Sequence, residues 1–176
     1  IEAFQAGDFK QSPKPSITVH SREIELGIEN FMLSLGTLLG VIDSDPKFSL
    51  MPPFVRYLSE VAFIQIGDAS ITGIPGELYP EIAVGGIENP IGADYVIAPQ
   101  EVPHLRSQFS DKLNLMVNLA NDSIGYIIPK SEWDEDAPWI YGEKEETYGE
   151  VVSLGPNTAP VIHENLLELI KESKNK

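Results

Sequence analysis

The sequence predicts an α+β fold, a mixed sheet with flanking helices. Three observations predict it. Apolar runs of strand length are punctuated by Gly, Asp and Pro, as in 61–66, Gly67-Asp68, 69–74 and Pro75-Gly76. Two stretches, 29–39 and 159–174, repeat apolar residues at helical spacing. Strands and helices are also intermixed along one chain of 176 residues, long enough to bury a core as a single domain.

In order, residues 1–16 are polar, with Pro and Lys (QSPKPS), and read as a linker or surface loop. ITVHSREIEL (17–26) alternates as a strand and carries His20, expected as a cross-strand partner. ENFMLSLGTLL (29–39) predicts a helix ended by Gly40, with Phe31, Met32 and Leu35 in the core. DSDPKFSLMPP (43–53) is turn-like; its DSD lacks the Gly and distal Glu of a calcium-binding EF-hand loop. FIQIGDASITGIPGELYPE (63–81) predicts a hairpin that runs into a Pro-Gly corner, with Glu77 at the start of a helix. A short strand is expected at 95–98 and two more at 113–119 and 123–128. His104 lies in a polar loop and reads as a surface residue. The last helix, 159–174, carries the stripe Val161, Ile162, Asn165, Leu166, Leu169 and Ile170, with His163 beside it in a packing role. Asn157 or Thr158 supplies its cap, and Lys171 and Lys174 suit its C-terminal dipole.

Composition excludes several functions. A net charge of −15 opposes binding to nucleic acid or to an anionic membrane, since both attract basic surfaces. The absence of cysteine removes disulfides and thiolate metal sites. No apolar run approaches the ~18 residues that span a bilayer. The chain opens on Ile1 rather than Met, with no signal-peptide pattern, which raises the expectation of a further upstream segment.

Chemistry is sparse by residue type alone. There is no dinucleotide or phosphate loop, no nucleophile elbow and no HExxH, and the three histidines show no metal spacing. What stands out is Glu77 at the Pro-Gly corner and Tyr126 after Gly125, each able to present oxygen to a ligand.

Three stretches in order extend this. GDASITGIPGELYPEIAVGG, LANDSIGYIIPKSEWD and TYGEVVSLGPNTAPVI together resemble successive signatures of the neutral/alkaline, non-lysosomal ceramidase family. The resemblance covers residues 61–170 and implies the C-terminal part of a larger α/β catalytic domain. It implies hydrolysis of an N-acyl linkage by zinc-activated water, with a lipid-like substrate and a secreted or extracytoplasmic location. In that family two His, one Glu and one Tyr hold the zinc. The Glu of the PGE corner corresponds to Glu77 and the ligating Tyr to Tyr126. A second, catalytic Tyr that helps hold the carbonyl oxygen corresponds to Tyr148. The two His ligands are expected from an N-terminal segment of the same precursor, upstream of Ile1. The alternative is a non-catalytic relative or accessory domain that keeps the fold without the metal.

Overall fold

The computed structural model describes Gly7 and residues 14–42, 46–109 and 113–174. The DSD triplet, 43–45, and most of the expected linker at 1–16 lie outside the described residues.

Strand β1 (Ile17–Gly27) pairs antiparallel along its whole length with β3 (Val55–Ile66), from Ile17 opposite Ile66 to Gly27 opposite Arg56. A two-residue turn at Gly67-Asp68 returns β3 into β4 (Ala69–Gly73), as the Gly-Asp punctuation between the two apolar runs predicts. Strand β6 (Asn114–Val117) then adds parallel to β4. The short β2 (Lys47–Phe48) pairs with the start of β3. The sheet is therefore mixed, in the order β1-β3-β4-β6. Buried Asn114 pins the parallel register by donating from Nδ2 to Ser70 Oγ at 2.9 Å and Thr72 Oγ1 at 3.2 Å. Such a buried amide needs partners, so a slip by one residue is penalised.

One face of the sheet is covered by the C-terminal helix, α4 (Thr158–Lys174), which packs on β1 and β3. Its buried residues Ala159, Ile162, Leu166, Leu169 and Ile170 join Ile24, Leu26, Val61 and Phe63 in the main core. Arg22 crosses from β1 to the helix, donating to Asn165 Oδ1 at 3.2 Å and Glu172 Oε1 at 2.7 Å and pairing with Glu168. Leu166 is fully buried. Leu166→Ala should therefore leave a cavity and cost about 2–5 kcal/mol. In a thermal melt this reads as a drop of roughly 5–15 °C.

The other face carries an apolar row that runs in register across four strands, Val19–Ile64–Ile71–Leu115, with Ile17 and Ile66 paired beside it. Val19 is 62% exposed and Leu115 50%.

Helix α1 (Phe31–Leu38) forms where the spacing predicts it, but its rotation differs from the expectation. Phe31, Met32 and Leu35 are exposed, and Leu33 and Thr37 turn inward instead. FMLSLGTL is apolar nearly all round, so its period does not choose a face. Asn30 chooses it: Oδ1 accepts from Leu33 N at 3.1 Å and Nδ2 donates to Val151 O at 3.0 Å. The cap thus ties the helix start to a distant segment and sets which residues point in.

The 95–98 segment is not a strand. The Ile97 amide donates to the Tyr95 carbonyl at 3.0 Å, a three-residue turn that takes this donor from any ladder. The predicted strand at 123–128 shortens to β7 (Tyr126–Ile127), because the Ile124 amide is used by the Pro75 carbonyl at 3.0 Å. The helix after the Pro-Gly corner, α2 (Pro80–Val84), starts three residues later than expected. Pro80 occupies its first position, where a missing N–H costs nothing. Glu77 instead opens a two-residue strand, β5 (Glu77–Leu78).

Of the histidines, His20 is buried on β1 opposite Phe63, as a cross-strand partner. His163 is buried on α4 and its Nε2 donates to the Pro103 carbonyl at 2.9 Å, a packing role. Burial holds its pKa below the ordinary value. His104 is half-buried rather than a free surface residue and caps a short turn, its Nδ1 accepting from Ser107 N at 3.2 Å.

Candidate functional site

The site is built on a second, two-stranded sheet. Strand β5 pairs parallel with β7, and this places Glu77 directly opposite Tyr126. The Glu77 amide donates to the Gly125 carbonyl at 2.9 Å and the Tyr79 amide to the Ile127 carbonyl at 3.1 Å, so the backbone holds this register at both ends. Tyr148 begins the short helix α3 (Tyr148–Val151), after Thr147 at the N-cap. Its ring meets that of Tyr126 edge-on, with centroids 6.1 Å apart. The three residues singled out in the sequence, Glu77, Tyr126 and Tyr148, therefore converge on one wall. Glu77 and Tyr126 are half-buried, and Tyr148 is exposed.

Gly125 makes the convergence possible. It has φ +88°, and a Cβ there would lie 1.8 Å from the Val152 carbonyl oxygen. Only glycine lets β7 lie this close to the chain leaving α3. Gly149 does the same on the next layer: a Cβ would come within 2.6 Å of the Tyr79 hydroxyl.

Tyr79 is a wall residue that sequence reasoning did not single out. Its ring is T-shaped to Tyr126 at 6.2 Å, so Tyr79, Tyr126 and Tyr148 form an aromatic ladder. The signal was present: Tyr79 lies two residues after Glu77, the spacing that puts side chains on one face of a strand. Burial pushes its phenol up to about 12, with Glu150, Tyr126, Glu132 and Glu81 adding negative charge around it. Glu150 is also new. It is buried on α3, accepts from Thr147 Oγ1, and has its pKa raised chiefly by burial.

The Glu77 carboxylate lies beside the Tyr126 phenol. Its charge, more than burial, raises the Tyr126 pKa, and it accepts from the neutral hydroxyl. The sign follows: a phenolate next to a carboxylate is repelled, so Tyr126 keeps its proton to higher pH than a free tyrosine. Glu77→Gln removes the charge and should return the Tyr126 titration toward the ordinary range, read by ultraviolet absorbance of tyrosinate. A Tyr126 titration unchanged by that substitution would contradict the pairing.

As a donor set, one carboxylate and one phenol on an electronegative wall suit zinc, which takes oxygen as well as nitrogen ligands. In a four-coordinate site they would fill two of the four positions. Among the described residues, no group of three His, Asp or Glu could hold a metal ion. His104 and His163 are engaged elsewhere in the fold, as a cap and a packing residue, and His20 is buried on β1 of the main sheet with its Nε2 unpartnered.

Among the described residues no helix is long and apolar enough to cross a membrane. Comparison of the chain with protein-family models, with curated protein sequences and with solved structures found no match.

Proposed function

We propose that this chain supplies one wall of a zinc-dependent amide hydrolase of the neutral ceramidase type, acting on an N-acyl linkage. The observation that carries the reading is the convergence of Glu77, Tyr126 and Tyr148, drawn from three separate stretches, on one wall. Glu77 and Tyr126 are the metal ligands this chain contributes, and two His come from a segment upstream of Ile1. Zinc, when bound, polarises a carbonyl and acidifies water. The chain's own residues do the rest. Glu77 offsets the metal's charge and orients the Tyr126 hydroxyl. Tyr148, exposed at the rim, donates to the substrate carbonyl oxygen as negative charge develops on it. The Tyr79–Tyr126–Tyr148 ladder keeps these oxygens in fixed relation.

The partner in this reading is the upstream segment of the same precursor. The uncovered row Val19–Ile64–Ile71–Leu115 and the exposed Phe31 and Met32 support it, since apolar faces of this extent mark surfaces that another element covers. The substrate is lipid-like or another N-acyl compound, and the setting is extracytoplasmic or secreted. Activity on a fatty N-acyl amide, measured with the upstream segment present and with Tyr148→Phe as the comparison, tests the role of Tyr148. The variant should lose roughly 100-fold in kcat with little change in KM, as loss of an oxyanion donor does. Equal loss in KM alone would assign Tyr148 to binding instead.

A further inference from the structure

An open groove of about 460 Å³ lies between the segments 88–92 and 138–142 and shares no lining residue with the Glu77 wall. Pro90, Ile91, Pro138, Trp139 and Tyr141 give it apolar walls, and Glu88 supplies charge at its rim. The lining is within reach of an occupant. Ile91 is 97% exposed and Tyr141 66%, and Glu88 and Pro138 are exposed as well. The two walls are stitched together, so the groove is preformed. The Glu88 amide donates to Glu132 Oε1 at 2.6 Å, Ser131 Oγ to the Glu88 carbonyl at 2.7 Å, and the Asp94 amide to the Trp133 carbonyl at 3.0 Å. A Cβ on Gly92 would lie 2.8 Å from the Pro138 carbonyl oxygen, so glycine is what lets the segments meet this closely. Tyr141 holds a φ of +55°, rare for a residue with a side chain, and its hydroxyl donates to Glu88 Oε2 at 2.9 Å. Such strain persists where the surroundings over-determine it, and it concentrates at ligand clamps.

The walls select the shape of the occupant. Aromatic rings beside prolines receive the rings of a proline-rich segment, whose polyproline II conformation is set before it binds. An added β-strand is a poor match, because neither 88–92 nor 138–142 is a strand with an edge to extend. Charge selects further. Glu135, Asp136, Glu143, Glu145 and Glu146 flank the groove in sequence and are exposed, against one lysine there, Lys144. Among the described residues, neither these acids nor Glu88 forms an ion pair. The rim is therefore negative, and the complementary segment is basic.

We propose that this groove docks a basic, proline-rich segment of a partner polypeptide, its prolines against Trp139 and Tyr141 and a flanking arginine or lysine against Glu88. The inference is independent of the amide hydrolase reading.

The test is a titration of the whole chain at neutral pH, following the Gly92 and Gly142 amide resonances. The probes are a decaproline peptide with two arginines at one end, the same peptide with two glutamates there, a glycine–serine peptide with the two arginines, and tetramethylammonium. The arginine–decaproline peptide should give a saturable one-to-one shift that weakens as salt rises. The glutamate peptide should bind at least about ten-fold more weakly through charge repulsion, and the glycine–serine peptide about ten-fold more weakly for want of a preset shape. Trp139→Ala should weaken the arginine–decaproline peptide about 30-fold, as loss of an aromatic anchor does. Ile91→Ser should weaken it about five-fold and Glu88→Gln about three-fold, the sizes of a lost apolar contact and a rim ion pair. Should the Trp139 variant fail to fold, these two, at exposed positions, decide alone. The proposal is overturned by no saturable shift with the arginine–decaproline peptide, by equal binding of the glycine–serine peptide, or by tetramethylammonium moving the same amides when the peptide does not. It is overturned equally by affinities indifferent to both Ile91→Ser and Glu88→Gln, or by shifts of these amides that grow with protein concentration alone, which would assign the groove to a second copy.

Discussion

Glu77→Ala, made in the protein that carries its upstream segment, is expected to abolish amide hydrolysis while leaving the fold in place. The two halves of the result have separate causes. Loss of outer-shell support already costs a metal site 10–100-fold, so on the proposed reading, in which Glu77 is a ligand, its removal should cost at least about 100-fold. The fold does not depend on the carboxylate. The Glu77 amide still donates to the Gly125 carbonyl, and β5 still pairs with β7 through its backbone. The side chain is half-exposed and outside the core, so stability should change by less than about 1 kcal/mol. Turnover of an N-acyl amide and a thermal melt, run on the same sample, check both. Undiminished turnover would place the chemistry elsewhere. Loss of turnover with loss of the melting transition would make Glu77 a structural residue.

Gly125→Ala should have the largest effect on the architecture of the wall. The added Cβ would meet a backbone atom, the Val152 oxygen, at 1.8 Å, and a main-chain carbonyl cannot swing aside as a flexible side chain does. The φ of +88° is also unfavourable for alanine. Overpacking and backbone strain together should cost about 2–5 kcal/mol. The chain has to relieve the clash by moving β7 away from α3. That motion separates the rings of Tyr126 and Tyr148, now 6.1 Å apart. The melting temperature should fall, and in the folded fraction hydrolysis should fall with it. Wild-type stability in this variant would mean that the close approach of the two segments is dispensable.

The parts of this molecule that were legible in the sequence are those whose signals are local. Strand β1 reads from its alternation, the β3–β4 turn from Gly67-Asp68, and α4 from a stripe that recurs every three to four residues. Where a signal was not local, the sequence misled. Phe31, Met32 and Leu35 look like core because α1 is apolar on every side; a hydrogen bond from Asn30 to Val151, 121 residues away in sequence, is what turns them outward. The 95–98 segment has strand-forming residues but, among the described residues, no partner strand to take its hydrogen bonds. The parallel addition of β6 to β4 has no signature in either stretch.

The wall followed the same pattern. Glu77, Tyr126 and Tyr148 were picked out by order and resemblance, and the β5–β7 register and the Tyr126–Tyr148 contact are what join them. Tyr79 and Glu150 escaped because their role is to surround those residues rather than to complete a motif. Glu150 enters the wall only because α3 packs its first turn against Tyr79, and that proximity is tertiary.

Zinc content of the protein with its upstream segment present tests the central claim most directly. The account predicts one zinc per chain, held in part by Glu77 and Tyr126, and lost when Glu77→Ala and Tyr126→Phe are combined. An assembled protein that binds no zinc, with the Glu77 carboxylate paired to a lysine or arginine, would contradict it.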